Sequence, residues 1–225
     1  MNVFHVANAI IEKFNREGCE LNKMMLEKHV YYAYGLYWYV HKKRLFELQG
    51  QNEYSGKNEH VKYDIEKQSP FEAWGCGAVV KILHKVLVEH QIDKSPNITE
   101  TIKEYKVVTS SNSTQNDGKT TKTIIIETIK VDTLSEEEKA ILEPLINKIY
   151  ELLEGLTYQS LIRLNFIKQG AWIKITCLNN PVRQDFIGKM FDFFNKKSNK
   201  PYNYGVKYLF DADIKDEVKR VFYKQ

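Results

Sequence analysis

Apolar side chains first recur at three- and four-residue spacing, at Val3, Val6, Ala7, Ile10, Ile11 and Phe14, the stripe of an amphipathic helix. Gly18 ends it. Asn22 can cap the free amides of a second helix, which runs to about His41. From Val30 onward that helix is apolar all round, so it is predicted to stand centrally with protein on every side. The polar stretch from Glu47 to Ser69 lacks periodicity and reads as a long surface loop. Regular structure resumes at Pro70 to Trp74 and turns at Gly75-Cys76-Gly77. A third helix follows, with Val79, Ile82, Leu83, Val86 and His90 along one face.

The period then changes. Tyr105 to Thr109 and Ile124 to Val131 are rich in β-branched residues and bracket a very polar segment, Ser110 to Lys122. Two strands joined by a mobile loop are predicted, as a hairpin projecting from the helical body. The run Ile124-Ile125-Ile126 would be an association hazard on a bare edge, and a toxin or a second copy of the chain would cover it. Ser135 and Glu138 form a capping box, each side chain satisfying the other's backbone amide. The helix they open is expected to bury Ile141, Leu142, Leu145, Ile146, Ile149, Leu152 and Leu153, to bend at Pro144, and to stop at Gly155. A shorter helix is predicted from Thr157 to about Ile167, another after Asn180-Pro181, and a last one capped by Asp213.

These elements predict a mainly α, compact multi-helix domain with a small β-hairpin insertion. Residues 1–175 form its body, and residues 176–225 a C-terminal helical extension packed on the same globular unit.

Composition narrows the function. Hydrophobic residues make up 43% of the 225, enough for a substantial core rather than a disordered chain. The formal charge is only +4, and the basic residues are interleaved with acids, unlike the basic stripe of a nucleic-acid binder. Cys19, Cys76 and Cys177 are odd in number and far apart, which suggests neither a disulfide framework nor a zinc knuckle. The most apolar stretch, Val30 to Val40, is too short for a membrane span. With no signal-peptide pattern, a cytoplasmic protein with no membrane association is expected.

Three segments carry a resemblance. Leu21-Asn22-Lys23-Met24-Met25-Leu26-Glu27-Lys28-His29-Val30-Tyr31-Tyr32-Ala33-Tyr34-Gly35 leads from the first helix into the second. After the loop comes Phe71-Glu72-Ala73-Trp74-Gly75-Cys76-Gly77-Ala78-Val79-Val80, and later Leu134-Ser135-Glu136-Glu137-Glu138-Lys139. In this order they resemble the Panacea domain, which embraces SocA-like antitoxins and phage-associated GepA-like proteins. The likeness runs from about Val3 to Trp172, with Ala78 standing where relatives usually have a proline. It implies a compact helical fold, antitoxin activity by direct binding of a cognate toxin, residence in prophages or mobile elements, and in some relatives an adaptor role toward a protease.

No catalytic constellation stands out, and no cofactor or metal is expected. The His-Glu-x-x-His order of a zinc protease helix is absent around His84 and His90, and Cys76 has no identifiable base. The second helix is too apolar to read a DNA groove, so nucleic acid is an unlikely partner; a phage-associated nucleic-acid-binding regulator is the alternative function. Tyr31, Tyr32, Tyr34, Tyr37 and Trp38 could stack on RNA bases or fill a core. Tyr34, Trp74 and Trp172 are the candidate partner-binding residues, since aromatic rings with a polar handle suit interfaces; packed core residues are the competing reading. A homodimer is a further candidate assembly.

Overall fold

A computed structural model of the chain describes residues 1–47, 68–74, 77–89, 97–114, 120–165 and 208–223. Among these, six helices and two small sheets form a mainly α fold. Helix α1 (Val3–Glu17) begins with the Asn2 side chain accepting from the Phe4 and His5 amides, while His5 Nδ1 accepts from the Asn2 amide. At its end Gly18 takes a left-handed φ of 65°, which lets the Cys19 amide reach the Phe14 carbonyl. Helix α2 (Lys23–His41) starts where Asn22 caps Met25.

The sequence of α2 predicts a central helix, and α2 is central. It packs against α1, α3 (Lys81–Glu89), α4 (Glu136–Leu153), α5 (Tyr158–Asn165) and α6 (Asp211–Phe222). Every residue from Leu26 to Leu36 is buried. Gly35 is required by one of these contacts. A Cβ there would lie 2.5 Å from Val218 Cγ2 and 2.8 Å from Ile214 Cγ2, so α2 and α6 approach over bare backbone.

A three-stranded sheet departs from the expected helical body. Strand β1 (Gln68–Trp74) pairs antiparallel with β2 (Gly77–Val79) on one side and with β5 (Tyr208–Phe210) on the other. Val79 therefore ends a strand, and the third helix starts later, at Lys81. Its backbone is held in the sheet opposite Glu72, which overrides the helical spacing of its neighbours. β5 and α6 return from late in the chain to complete this sheet and cover α2, so residues 208–223 share the core of the first half.

The second sheet is the hairpin, β3 (Glu104–Thr114) with β4 (Thr120–Lys130). Its register runs unbroken from Glu104↔Lys130 to Thr114↔Thr120, so the polar residues expected in a loop mostly extend the strands. Its base is fastened to the helices. Tyr105 stacks on Phe4 with ring centres 4.2 Å apart, and Asn8 both donates to the Ile102 carbonyl and accepts from its amide.

Other local expectations meet mixed outcomes. The Ser135–Glu138 capping box opens α4, and the helix continues through Pro144 without interruption. The last helix starts at Asp211, so Asp213 sits in its first turn instead of capping it. Trp172, His90 and the helix expected after Asn180-Pro181 lie outside the described residues.

Candidate functional site

Glu27 and Lys28 are consecutive on α2, and both are buried, at 2% and 0% exposure. A buried charge is costly unless other polar groups hold it, and these two are held by the segment that follows the loop. Lys28 Nζ donates to the Ala78 carbonyl at 2.9 Å, fixing β2 to α2. Glu27 Oε1 lies 2.7 Å from His84 Nδ1, fixing α3 to α2. Because a carboxylate only accepts, this contact puts the proton on Nδ1 and turns Nε2 away from Glu27.

The sheet supplies the aromatic part. In the β1–β2 register Trp74 is opposite Gly77 and Ala73 opposite Ala78. The Trp74 indole Nε1 donates to Glu72 Oε2 at 2.8 Å, and its ring lies 4.7 Å from the His84 ring at 53°. Glu72 is itself 1% exposed. Trp74 and His84 remain half-buried, as a tilted aromatic pair with each ring hydrogen-bonded to a buried carboxylate, Glu72 and Glu27. The pair offers an apolar face with a ring nitrogen at hand, which suits recognition of another molecule. Among the described residues no group of three His, Cys, Asp or Glu side chains is placed to hold a metal ion. Cys76, two residues past Trp74, lies outside the described residues.

Of the three partner-binding candidates, Trp74 occupies this half-buried position. Tyr34 does not join it. It is fully buried, packs on Phe46 and Phe71, and its hydroxyl donates to Asp211 Oδ1 at 2.7 Å. Burial raises the Tyr34 pKa, with the Asp211 carboxylate adding to the shift. Tyr34 is thus a core residue whose influence on a partner could only be indirect, as a brace. Tyr31 and Tyr32 are likewise buried, so these three rings offer no stacking surface for RNA bases. Trp172 lies outside the described residues.

The sequence shows no zinc-protease order at His84 and gives no hint of its carboxylate partner, because the 57 residues separating the two carry no local signal. Nor does it single out His5 and Asn8, which line a cleft of about 820 Å³ between α1, α4 and the hairpin base. His5 Nε2 is 2.9 Å from the Asp132 carbonyl. The ring therefore donates there while its Nδ1 caps α1. Among the described residues no helix is long and apolar enough to cross a membrane. Comparison with family descriptions, with curated proteins and with solved structures finds no match for this chain.

Proposed function

We propose that this chain is an antitoxin-like protein, phage- or mobile-element-associated and acting in the cytoplasm. It neutralises a cognate toxin by direct stoichiometric binding, with Trp74 and His84 at the contact. The observation that carries the reading is the meeting of the first two of the segments that resemble the Panacea domain. Lys28 of the first reaches the Ala78 carbonyl of the second, and Trp74 of the second lies tilted against His84, which Glu27 of the first orients. Two segments that carry the resemblance so meet beside one half-exposed aromatic pair. Tryptophan is enriched among residues that dominate binding energy, because it buries a large area with little entropy loss. A protease-adaptor role would use the same toxin contact.

The test is co-expression with the product of the adjoining reading frame in a growth assay. The neighbour alone should arrest growth, and this chain should restore it. Trp74→Ala, checked for folding by circular dichroism, should lose the rescue. A harmless neighbour, or one that is not rescued, overturns the reading; duplex-DNA retention that weakens with salt would then favour the regulator. A folded Trp74→Ala protein that still rescues removes the patch from the contact.

A further inference from the structure

We propose that the outer edge of β4 pairs with the same edge of a second copy of this chain, joining two hairpins into one four-stranded antiparallel sheet. Among the described residues β3 and β4 form a sheet of two strands only, so the side of β4 away from β3 carries no neighbouring strand. An isolated two-stranded ribbon is marginal in water, and three or more strands are normally needed for stability. This ribbon is long, with 11 residues in each strand, or about 36 Å at the usual rise. The structure fastens it at its base, through Tyr105, Asn8 and the Val131 amide on the Lys103 carbonyl.

Solvent-facing edges are ordinarily blunted by proline, a bulge, closely spaced charge or brevity. β4 has none of these along Thr120 to Ile126: no proline occurs, the register is unbroken, and Lys122 is the one charge. Ile126 is 61% exposed and Ile129 37% exposed on the same strand. An edge so undefended is better suited to a partner strand than to water.

The strand is complementary to its own copy, and charge together with the isoleucine run favours one register. Two identical strands related by a two-fold axis pair antiparallel about one central residue. Centred on Ile125, the pairing sets Ile124 opposite Ile126, Thr123 opposite Glu127, Lys122 opposite Thr128 and Thr120 opposite Lys130. No two like charges face each other, and the isoleucine run meets itself. Moving the centre to Ile126 sets Lys122 against Lys130 twice over, which is unfavourable. Moving it to Ile124 sets Lys122 against Ile126. The β3 edge beyond Val108 offers only Thr, Ser and Asn, with no apolar run to meet its copy.

The test reads mass and cross-linking on the full chain. Light scattering after size exclusion should give twice the 26.5 kDa chain mass at high concentration, falling toward the chain mass on dilution. Ile126→Lys should halve the mass at unchanged circular dichroism. Ile125→Cys stands opposite itself and should form an intermolecular disulfide under mild oxidation, whereas Thr121→Cys, opposite Ile129, should not exceed the parent chain. A chain-mass species at every concentration overturns the proposal. So does an Ile126→Lys dimer, or equal cross-linking at positions 121 and 125. None of these readouts uses a toxin, so the outcome is independent of the growth assay.

Discussion

The Tyr34 hydroxyl and the Asp211 carboxylate meet at 2.7 Å, although 177 residues separate them in the chain. Arg44 Nε donates to the other carboxylate oxygen at 2.9 Å. Burial pushes the Asp211 pKa upward, and these two hydrogen bonds pull against it. The first residue of α6 is thus tied both to the central helix and to the chain just after it. Removing the hydroxyl alone tests this tie. Tyr34→Phe should lower stability by about 2 kcal/mol, the usual worth of a hydrogen bond to a charged group. Urea denaturation should show the midpoint falling with the slope unchanged.

Gly35 predicts a steric effect in the same contact. Gly35→Ala places a methyl carbon within 2.8 Å of the branched side chains of Val218 and Ile214. Overpacking of this kind costs about 1–3 kcal/mol. Adding Val218→Ala should restore part of the loss, and a double-mutant cycle would show coupling between the two positions.

Acid should unfold the protein partly through His29. This ring is 2% exposed, donates from Nδ1 to the Met25 carbonyl and packs edge-on against Phe14. Burial lowers its pKa to about 4, with the Met25 hydrogen bond opposing the shift. The unfolded chain binds this proton at a pKa of about 6.5, the folded chain only near 4, so the unfolded state gains protons first as pH falls. The stability is present in full above the unfolded value and is lost as pH drops from about 6.5 to about 4, to a total of about 3 kcal/mol. In His29→Asn, which keeps a donor for Met25, the slope of stability against pH in that window should flatten.

Asn8 predicts a local effect on the ribbon. Its amide satisfies both the carbonyl and the amide of Ile102, at 2.9 Å and 2.7 Å. Asn8→Ala leaves two backbone groups beside buried Ile102 without that partner, at a cost of about 1–3 kcal/mol for each group left unsatisfied. Amide hydrogen exchange should quicken around residues 102–107 and stay nearly unchanged in α2.

Local signals were readable from the chain, and tertiary ones were not. Gly18, Asn22 and the Ser135–Glu138 pair each act within five residues, and each stands where the pattern puts it. The all-apolar run after Val30 likewise marks the central helix, since solvent would reject it. The β1–β2–β5 sheet escaped because β5 is three residues long and its pairing with β1 spans well over a hundred residues. The half-buried patch was legible only at Trp74. His84 carries no local sign of Glu27, which the fold brings beside it, and the Asn2–His5 capping box escaped because histidine replaces the usual Glu or Gln at its third position.

The late return of β5 and α6 bears on how the protein is made. Tyr31, Tyr32 and Tyr34 leave the ribosome well before the helix that covers them, carrying Ile214 and Val218, which is translated about 180 residues later. Until α6 is made, the nascent chain therefore holds an aromatic seam that Phe46 and Phe71 can pack on but whose α6 side is open. Contacts so distant in sequence also slow folding, because a large loop must be closed before they form. The interval between translation of α2 and of α6 is when this polypeptide is most exposed to aggregation and most dependent on chaperones.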